Sequence, residues 1–402
     1  MTEDPFLRWN LTPVINASGT MTGIGASRVL PEVRVSVDAI LGEFVGMDEL
    51  QARASAVIAR ATGAEAGCVT ACSAAAMSQT VAACLTGTDP ARIEALPEVA
   101  GERRVLLSAG HMVNYGAPVD QAIRIAGADV VRVGTSAACE TWHLRAALEQ
   151  GAAAAMYVVS HHTVRENELP MDVFIATCRE HGVPVIVDMA SEHDLRGPVA
   201  LGAAAAIYSG HKFLQGITSG IVAGASDFVC ATYLQHRGIG RTMKAGKESV
   251  VGAMAALELW EARDHAAARA AEDVRVELLM QGLAGIPGLA LSRHADWTGN
   301  PITRVRVAVD PGAAGFNAWE LAGRLGARSP RVAVRDDLIE RQEIYLDPCN
   351  LTDSDSKEVV TAIRAEAVGF RDRGDGCRIG WSDAKGAREE AAKAWRGDRH
   401  VP

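Results

Sequence analysis

The 402-residue sequence lacks features that would assign it to several classes of protein. Aromatic residues make up only 5%, and no apolar run reaches the ~18–20 residues of a membrane span. Basic residues are fewer than acidic ones, and the net charge of −9 disfavours a nucleic acid or an anionic membrane as the main partner. The N-terminus is acidic and mixed, unlike a signal peptide. We therefore expect a cytoplasmic protein that binds neither nucleic acid nor membrane.

The cysteines likewise argue against a class of site, here a metal site, and indicate no function of their own. There are eight, scattered along the chain with no CxxC pair, as is typical of buried free thiols in a reduced compartment. Cys68 and Cys72 lie four residues apart, but no matching His or Cys pair follows at zinc-finger spacing. We expect no metal site.

Strand-like and helix-like patterns alternate from about residue 62 to residue 224. Short apolar runs separated by helical stretches of ~10–15 residues predict βαβ units and a mostly parallel, seven-stranded sheet sandwiched by helices, which is an α/β fold. The predicted strands span residues 67–70, 104–107, 129–133, 155–160, 184–188, 205–209 and 219–223.

The pattern changes after residue 224, where a long helical stretch precedes a second series of short strands. This change predicts a smaller C-terminal α+β domain. The expected segments are 1–54 (packing on the active site or a partner subunit), 55–247 (large domain), 248–284 (linking helix), 285–372 (small domain) and 373–402 (charged tail).

The segment YSGHKFLQGITSG, residues 208–220, places Lys212 directly after a buried apolar strand. Burial disfavours a charged lysine, so this position is unusual unless the lysine has a chemical role. The alternative is a lysine at a strand end that points into water. Asp188 ends the apolar strand 184–188, at the edge where open α/β sheets bind ligands. Its alternative role is to cap the next helix.

Together these two residues suit pyridoxal phosphate (PLP). In enzymes that use PLP, a lysine of the protein forms a Schiff base with the aldehyde of the cofactor. A carboxylate keeps the pyridine nitrogen protonated so that the ring can withdraw carbanion charge. A turn of small residues that enters a helix at Ser73 and Ala74 could hold the phosphate, and Ser209 could add a hydroxyl. Such turns also cap ordinary helices.

A glycine-broken basic cluster, residues 237–247, contains Arg241 and Lys244. It predicts an anion-binding loop for a substrate or for the cofactor phosphate, either in its own subunit or in a neighbouring one. A solvated surface loop is the alternative.

In this order the motifs resemble the bacterial selenocysteine synthase family and, most closely, the D-glucosaminate-6-phosphate ammonia-lyase branch, which are PLP enzymes of fold type I, the aspartate-aminotransferase fold. The resemblance rests on VINASGT (14–20), ATGAEAGCVTACSAAA (61–76), VPVIVDMAS (183–191), SGHKFLQGITSG (209–220) and GIGRTMKAGKE (238–248).

The resemblance implies roles for individual residues. Lys212 and Asp188 would be catalytic, and further residues would bind the cofactor: Ser73, Ala74, His111 (stacking on the ring), Ser160, His161, Ser191, Ser209, His211 and Thr218. Arg335 would hold a substrate carboxylate, with Thr20, Arg241 and Lys244 also binding substrate.

We therefore expect a PLP-dependent lyase that removes the α-proton of a small amino acid or amino sugar acid and eliminates a β-substituent, with Lys212 as the base. The alternatives are β-replacement, racemisation, aldol cleavage or transamination on the same fold, and a non-catalytic binding protein. We also expect a homodimer or a higher oligomer.

Overall fold

The computed structural model describes residues 4–393, which form two compact units. The larger unit is Ser27–Arg263, and the smaller unit combines the described residues up to Ala26 with those from Asp264 onward. The strands are β1 (Val14–Ala17), β2 (Ala66–Thr70), β3 (Arg104–Ser108), β4 (Asp129–Val133), β5 (Ala154–Val158), β6 (Val185–Asp188), β7 (Ala205–Ser209), β8 (Gly220–Gly224), β9 (Leu289–Ala295), β10 (Thr303–Val309), β11 (Arg331–Val334) and β12 (Glu343–Leu346).

The α-helices follow in chain order. They are α1 (Pro5–Arg8), α2 (Pro31–Leu41), α3 (Met47–Thr62), α4 (Ser73–Thr86), α5 (Pro90–Ala95), α6 (Val119–Ile125), α7 (Thr141–Leu148), α8 (Met171–Glu180), α9 (Gly197–Ala200), α10 (Ser226–Leu234), α11 (Lys247–Ala262), α12 (His265–Leu283), α13 (Pro311–Ala314), α14 (Ala318–Gly326), α15 (Asp353–Arg373) and α16 (Trp381–Lys393). Among the described helices, none combines the length and the apolar character needed to cross a membrane.

The larger unit contains a seven-stranded sheet in the order β2-β8-β7-β6-β5-β3-β4. Only β8 runs antiparallel to its neighbours, so the predicted mostly parallel α/β sheet is confirmed. Strands β6, β7 and β8 are buried at every residue, as expected for strands covered by helices on both faces. One core lies between the sheet and the helices α3, α8 and α11, and a second lies on the α4 and α6 side.

The smaller unit contains the antiparallel sheet β12-β10-β9 and the parallel pair β1-β11. Val14–Ala17 pairs with Arg331–Val334, so the start of the chain shares a core with the C-terminal strands and with helices α12, α14 and α15. Contacts therefore divide the N-terminal segment near residue 26 rather than at the expected boundary of 54. The long-range pairing of β1 with β11 is the physical reason.

The stretch expected to form one linking helix consists of two, α11 and α12. The break falls at Arg263 and Asp264, and the Asp264 carboxylate accepts a hydrogen bond from the Ala267 N–H at 2.9 Å. This N-cap stabilises the start of a new helix at His265, so α11 and α12 are separate helices.

Candidate active site

Asp188 and Lys212 come from neighbouring parallel strands of the large sheet. Asp188 is the last residue of β6, and Lys212 follows β7 after two residues, Gly210 and His211. Because β6 and β7 are parallel, their carboxyl ends lie at the same edge of the sheet. The two groups are close enough that, against the larger effect of burial, the positive charge of Lys212 lowers the pKa of the Asp188 carboxyl.

Asp188 is a carboxyl group in an apolar setting, with 6% of its surface exposed. Burial raises its pKa from 3.8 to about 6, although the charge of Lys212 and the Ala190 N–H, 3.2 Å from Oδ1, act in the opposite direction. The protein's own groups therefore do not fully compensate the negative charge. A protonated ring nitrogen placed against Asp188 would supply the missing positive charge.

This uncompensated charge predicts a pH-dependent effect of Asp188→Asn on the stability of the cofactor-free protein. Because the folded-state pKa is above the ordinary value of 3.8, the native state loses stability as the pH rises from about 4 to about 6. The asparagine variant avoids this loss. The free energy of unfolding of the variant minus that of wild type should therefore be larger at pH 8 than at pH 4, by up to ~3 kcal/mol. Urea unfolding across this range measures the difference, and a pH-independent difference would contradict it.

The turn that carries Lys212 is fixed by local hydrogen bonds. Ser209 Oγ lies 3.0 Å from His211 Nδ1, and Ser27 donates a hydrogen bond to the His211 carbonyl at 2.6 Å. Burial, followed by the charge of Lys212, lowers the pKa of His211. His211 is therefore a neutral neighbour that orients Ser209 and does not compete with Lys212 for an anion.

The N-terminus of α4 forms a compact cradle at the same edge of the sheet. Ser73 and Ala74 are half-buried in its first turn, where backbone N–H groups have no acceptor within the helix. Gly220 at the start of β8 packs so closely that an added Cβ would lie 2.3 Å from the Cys72 carbonyl oxygen. Cys72 Sγ accepts the Ala75 N–H at 3.4 Å, so the N–H groups of Ser73 and Ala74 are the donors that could bind a phosphate.

His111 is not placed as expected. It is 2% exposed, its ring packs edge-on against Tyr157 at 4.5 Å, and its Nδ1 accepts the Val158 N–H at 3.4 Å. Burial lowers its pKa to about 4, so the ring is a neutral part of the core. The structure therefore does not support His111 as a residue that stacks on a ligand ring.

Tyr115, four residues later, is the aromatic side chain of this loop that faces the site. It is 38% exposed, and burial followed by the charge of Asp188 raises its pKa to about 12. Tyr115 was not among the residues predicted from the sequence. The signal that could have found it is the glycine that follows, because Gly116 has φ +114 and makes the tight turn that presents Tyr115.

The other predicted cofactor residues lie in loops of the larger unit. Strand β5 ends at Val158, two residues earlier than predicted, so Ser160 and His161 belong to a turn in which Ser160 Oγ accepts the His162 N–H at 3.2 Å. Ser191 is half-buried in the loop after β6, and Thr218 is exposed in the loop before β8. Their roles stay predictions.

Arg241 and Lys244 line a cavity of about 280 Å³ beside the edge strand β2. The same cavity is lined by Thr70, at the carboxyl end of β2, and by Gln79 of α4. Two exposed cations at the wall of this cavity are suited to an anionic group. Arg335 and Thr20 belong to the smaller unit, where Arg335 is 7% exposed and Thr20 half-buried.

Comparison with known proteins gives two relatives of similar identity. The chain is 35% identical to D-glucosaminate-6-phosphate ammonia lyase of Salmonella typhimurium over 90% of this chain and 98% of the relative. It is 36% identical to 5'-C-glycyluridine monooxygenase-decarboxylase of a Streptomyces species over 87% and 88%. L-seryl-tRNA(Sec) selenium transferase of Geobacter sulfurreducens is 24% identical over 88% and 83%. No family model matches the sequence.

Solved structures give the same result for the fold. The structure of D-glucosaminate-6-phosphate ammonia-lyase matches with a TM-score of 0.82 and 35% identity, over 92% of this chain and 99% of that one. Aspartate aminotransferase from Thermus thermophilus matches with a TM-score of 0.55 and 16% identity over 90% and 93%, which supports the fold alone. The resemblance and the fold class predicted from the motifs are confirmed. The chain therefore belongs to the family of D-glucosaminate-6-phosphate ammonia-lyase and has fold type I of the PLP-dependent enzymes.

Proposed function

We propose that the protein is a PLP-dependent ammonia-lyase acting on an amino acid or amino sugar acid. The observation that carries this proposal is the position of Asp188, a buried carboxyl at the end of β6, on the same edge of the sheet as Lys212, which follows the parallel strand β7. The relative with 35% identity is named as an ammonia lyase of an amino sugar acid phosphate.

The residues of the site fit PLP. Lys212 would hold the cofactor covalently, Asp188 would pair with its ring nitrogen, and the first turn of α4 with Ser209 would bind its phosphate. When bound, PLP supplies an electron-withdrawing ring that stabilises negative charge at the α-carbon of the substrate.

Lys212 would also be the base. When it is not bonded to the cofactor, its Nζ is a primary amine, which could accept the α-proton of the substrate. Asp188 would remain ionised if it pairs with a protonated ring nitrogen. Tyr115 would cover one side of the bound ligand, and Arg335 would hold the substrate carboxylate.

The distal part of the substrate is proposed to carry an anionic group. Arg241 and Lys244 line the cavity beside β2, and the Salmonella relative is named for a phosphorylated substrate. A compact phosphate or carboxylate would gain two charge-assisted hydrogen bonds there.

A second candidate function is oxidative decarboxylation of an amino acid. It is favoured by the Streptomyces relative, which is named as a monooxygenase-decarboxylase and has 36% identity to this chain. The two functions differ in their products, because a lyase releases ammonia without oxygen and a monooxygenase-decarboxylase consumes oxygen and releases carbon dioxide.

The deciding experiment incubates the PLP-loaded protein with D- and L-hydroxy amino acids, with amino sugar acids and their 6-phosphates, and with glycyl nucleosides. Ammonia, keto acid, oxygen uptake and carbon dioxide are measured in each case. The proposal expects ammonia and keto acid in equal amounts, at the same rate with and without oxygen. Oxygen-dependent loss of carbon dioxide would replace it by the second candidate, and no turnover of any of these substrates would contradict both.

We also propose that the protein acts in the cytoplasm as at least a homodimer. All eight cysteines are free thiols, as is typical of a reducing compartment. In the larger unit, Leu41 is half exposed and Phe44 fully exposed, and the Lys247 ammonium donates a hydrogen bond to the Leu41 carbonyl at 2.9 Å. An apolar surface beside the basic loop suits a second subunit. Sedimentation should give a dimer or larger, and a stable, active monomer would contradict this proposal.

A further inference from the structure

A fully buried arginine lies at the centre of an ionic cluster in the smaller unit. Arg304 on β10 is 2% exposed, and its Nε lies 2.6 Å from Asp347 Oδ2 while its Nη1 lies 2.5 Å from Asp296 Oδ2. Burial would lower the pKa of Arg304, but the two carboxylates outweigh it and keep the guanidinium charged. A guanidinium bonded at two edges has a fixed orientation.

Asp347 connects this arginine to Arg335. Asp347 is 1% exposed, and its Oδ2 lies 3.8 Å from Arg335 Nη1 as well as against Arg304. Its Oδ1 accepts the Cys349 N–H at 3.0 Å. Gly19 of the VINASGT motif packs against the same carboxylate, because an added Cβ would lie 2.8 Å from Oδ2. The carboxylate is therefore held from three sides.

Trp297 covers both arginines. Its ring centroid lies 5.2 Å from the guanidinium carbon of Arg304 and 5.1 Å from that of Arg335. The turn that presents it is fixed, because Asp296 Oδ1 accepts the Thr298 N–H at 2.9 Å and the Thr298 hydroxyl at 2.7 Å. The indole thus restricts the plane in which each guanidinium can lie.

Arg335 itself is oriented with one edge taken and the other available. Its Nε donates a hydrogen bond to Asp337 Oδ2 at 2.7 Å. The 3.8 Å between its Nη1 and Asp347 is an ion pair longer than a hydrogen bond, so this edge retains N–H donors for a ligand. A carboxylate can bind such an edge with both oxygens.

We propose that three residues position Arg335 so that its Nη edge receives the carboxylate of the substrate. These positioning residues are Arg304, Asp347 and Trp297. The inference rests on the proposed function, in which Arg335 binds that carboxylate. Arg304 binds and orients Asp347, and the Asp347 carboxylate in turn forms the ion pair with Arg335. Trp297 packs against both guanidinium groups and restricts their planes.

The test compares two probes that react with the aldehyde of PLP and differ in one group. Aminooxyacetate has a carboxylate, and methoxyamine has none. The rate of the change in cofactor absorbance is measured for each probe, and the ratio of the two rates reports carboxylate recognition without any turnover. Wild type should favour aminooxyacetate, and Arg335→Ala should remove the preference.

Asp347→Asn keeps the shape of the side chain and removes its charge, so it should lower the rate ratio by about tenfold. Arg304→Lys, which loses the two-edged contact, should act in the same direction. The matched control is Glu343→Gln, which breaks the ion pair with Arg306 on the same sheet and should leave the ratio unchanged.

Trp297→Leu retains every charge of the cluster and should also lower the rate ratio severalfold. It keeps the positioning role testable if the ionic variants do not fold. An unchanged ratio in folded Asp347→Asn or Trp297→Leu would overturn the positioning role. The protein is freed of unbound PLP before the probes are added. If the protein then shows no cofactor absorbance that either probe alters, the proposed function fails instead, because the protein holds no reactive cofactor.

Discussion

Lys212→Ala should lose turnover of the true substrate by at least ~10³-fold, because it removes both the covalent attachment of the cofactor and the base for the α-proton. The loss in turnover should not add to the losses caused by other substitutions that act on the same step. The measurement is the initial rate of ammonia release with saturating PLP.

The matched control is Lys357→Ala, which removes an exposed lysine of the smaller unit. It should keep near-normal turnover and the absorbance of bound cofactor. Near-normal turnover of Lys212→Ala would show that the base is another residue, and the assignment of this turn as the cofactor site would be wrong.

Asp188→Asn should lower turnover by at least ~10²-fold while the cofactor stays bound and coloured, if the lost ion pair is worth a few kcal/mol in the transition state. An amide cannot keep a proton on the ring nitrogen as a carboxylate does, so the ring withdraws less charge. Attachment to Lys212 needs only the amine and the aldehyde, and it should survive. Rates and absorbance spectra measured on the same preparation separate the two effects.

Asp194→Asn is the control on the following loop. Its Oδ1 accepts the N–H groups of Arg196 and Gly197 at 2.9 and 2.8 Å, which is a capping role, so its loss should affect stability more than turnover. If Asp188→Asn keeps near-normal turnover, Asp188 is not the partner of the ring nitrogen, and Glu192 and Asp194 are the next candidates.

The sequence predicted the larger unit well because its signals are local. Each parallel strand is a continuous apolar run, and each is followed by a helical pattern, so all seven strands were placed within a few residues of their bounds. Asp188 and Lys212 could be paired for the same reason, since the carboxyl ends of parallel strands share one edge. The break between α11 and α12 was missed although Asp264 is a residue typical of N-caps.

What the sequence could not give depends on contacts between distant segments. The pairing of Val14–Ala17 with Arg331–Val334 decides which unit holds the N-terminus, and no periodicity reports it. Which side chain of one loop is buried, His111 or Tyr115, depends on how the loop packs on β5. The burial of Arg304 and Asp347 likewise arises only when β10 and β12 meet, because each residue alone reads as a surface charge.

The chain has only six lysines, so the lysine that bonds to PLP can be identified directly. The protein incubated with PLP is reduced with borohydride, digested, and its peptides are mapped by mass spectrometry. We expect a pyridoxyl phosphate adduct on Lys212, in a yield of nearly one per chain, that is absent from Lys212→Ala. An adduct on another lysine, or none at all, would contradict it.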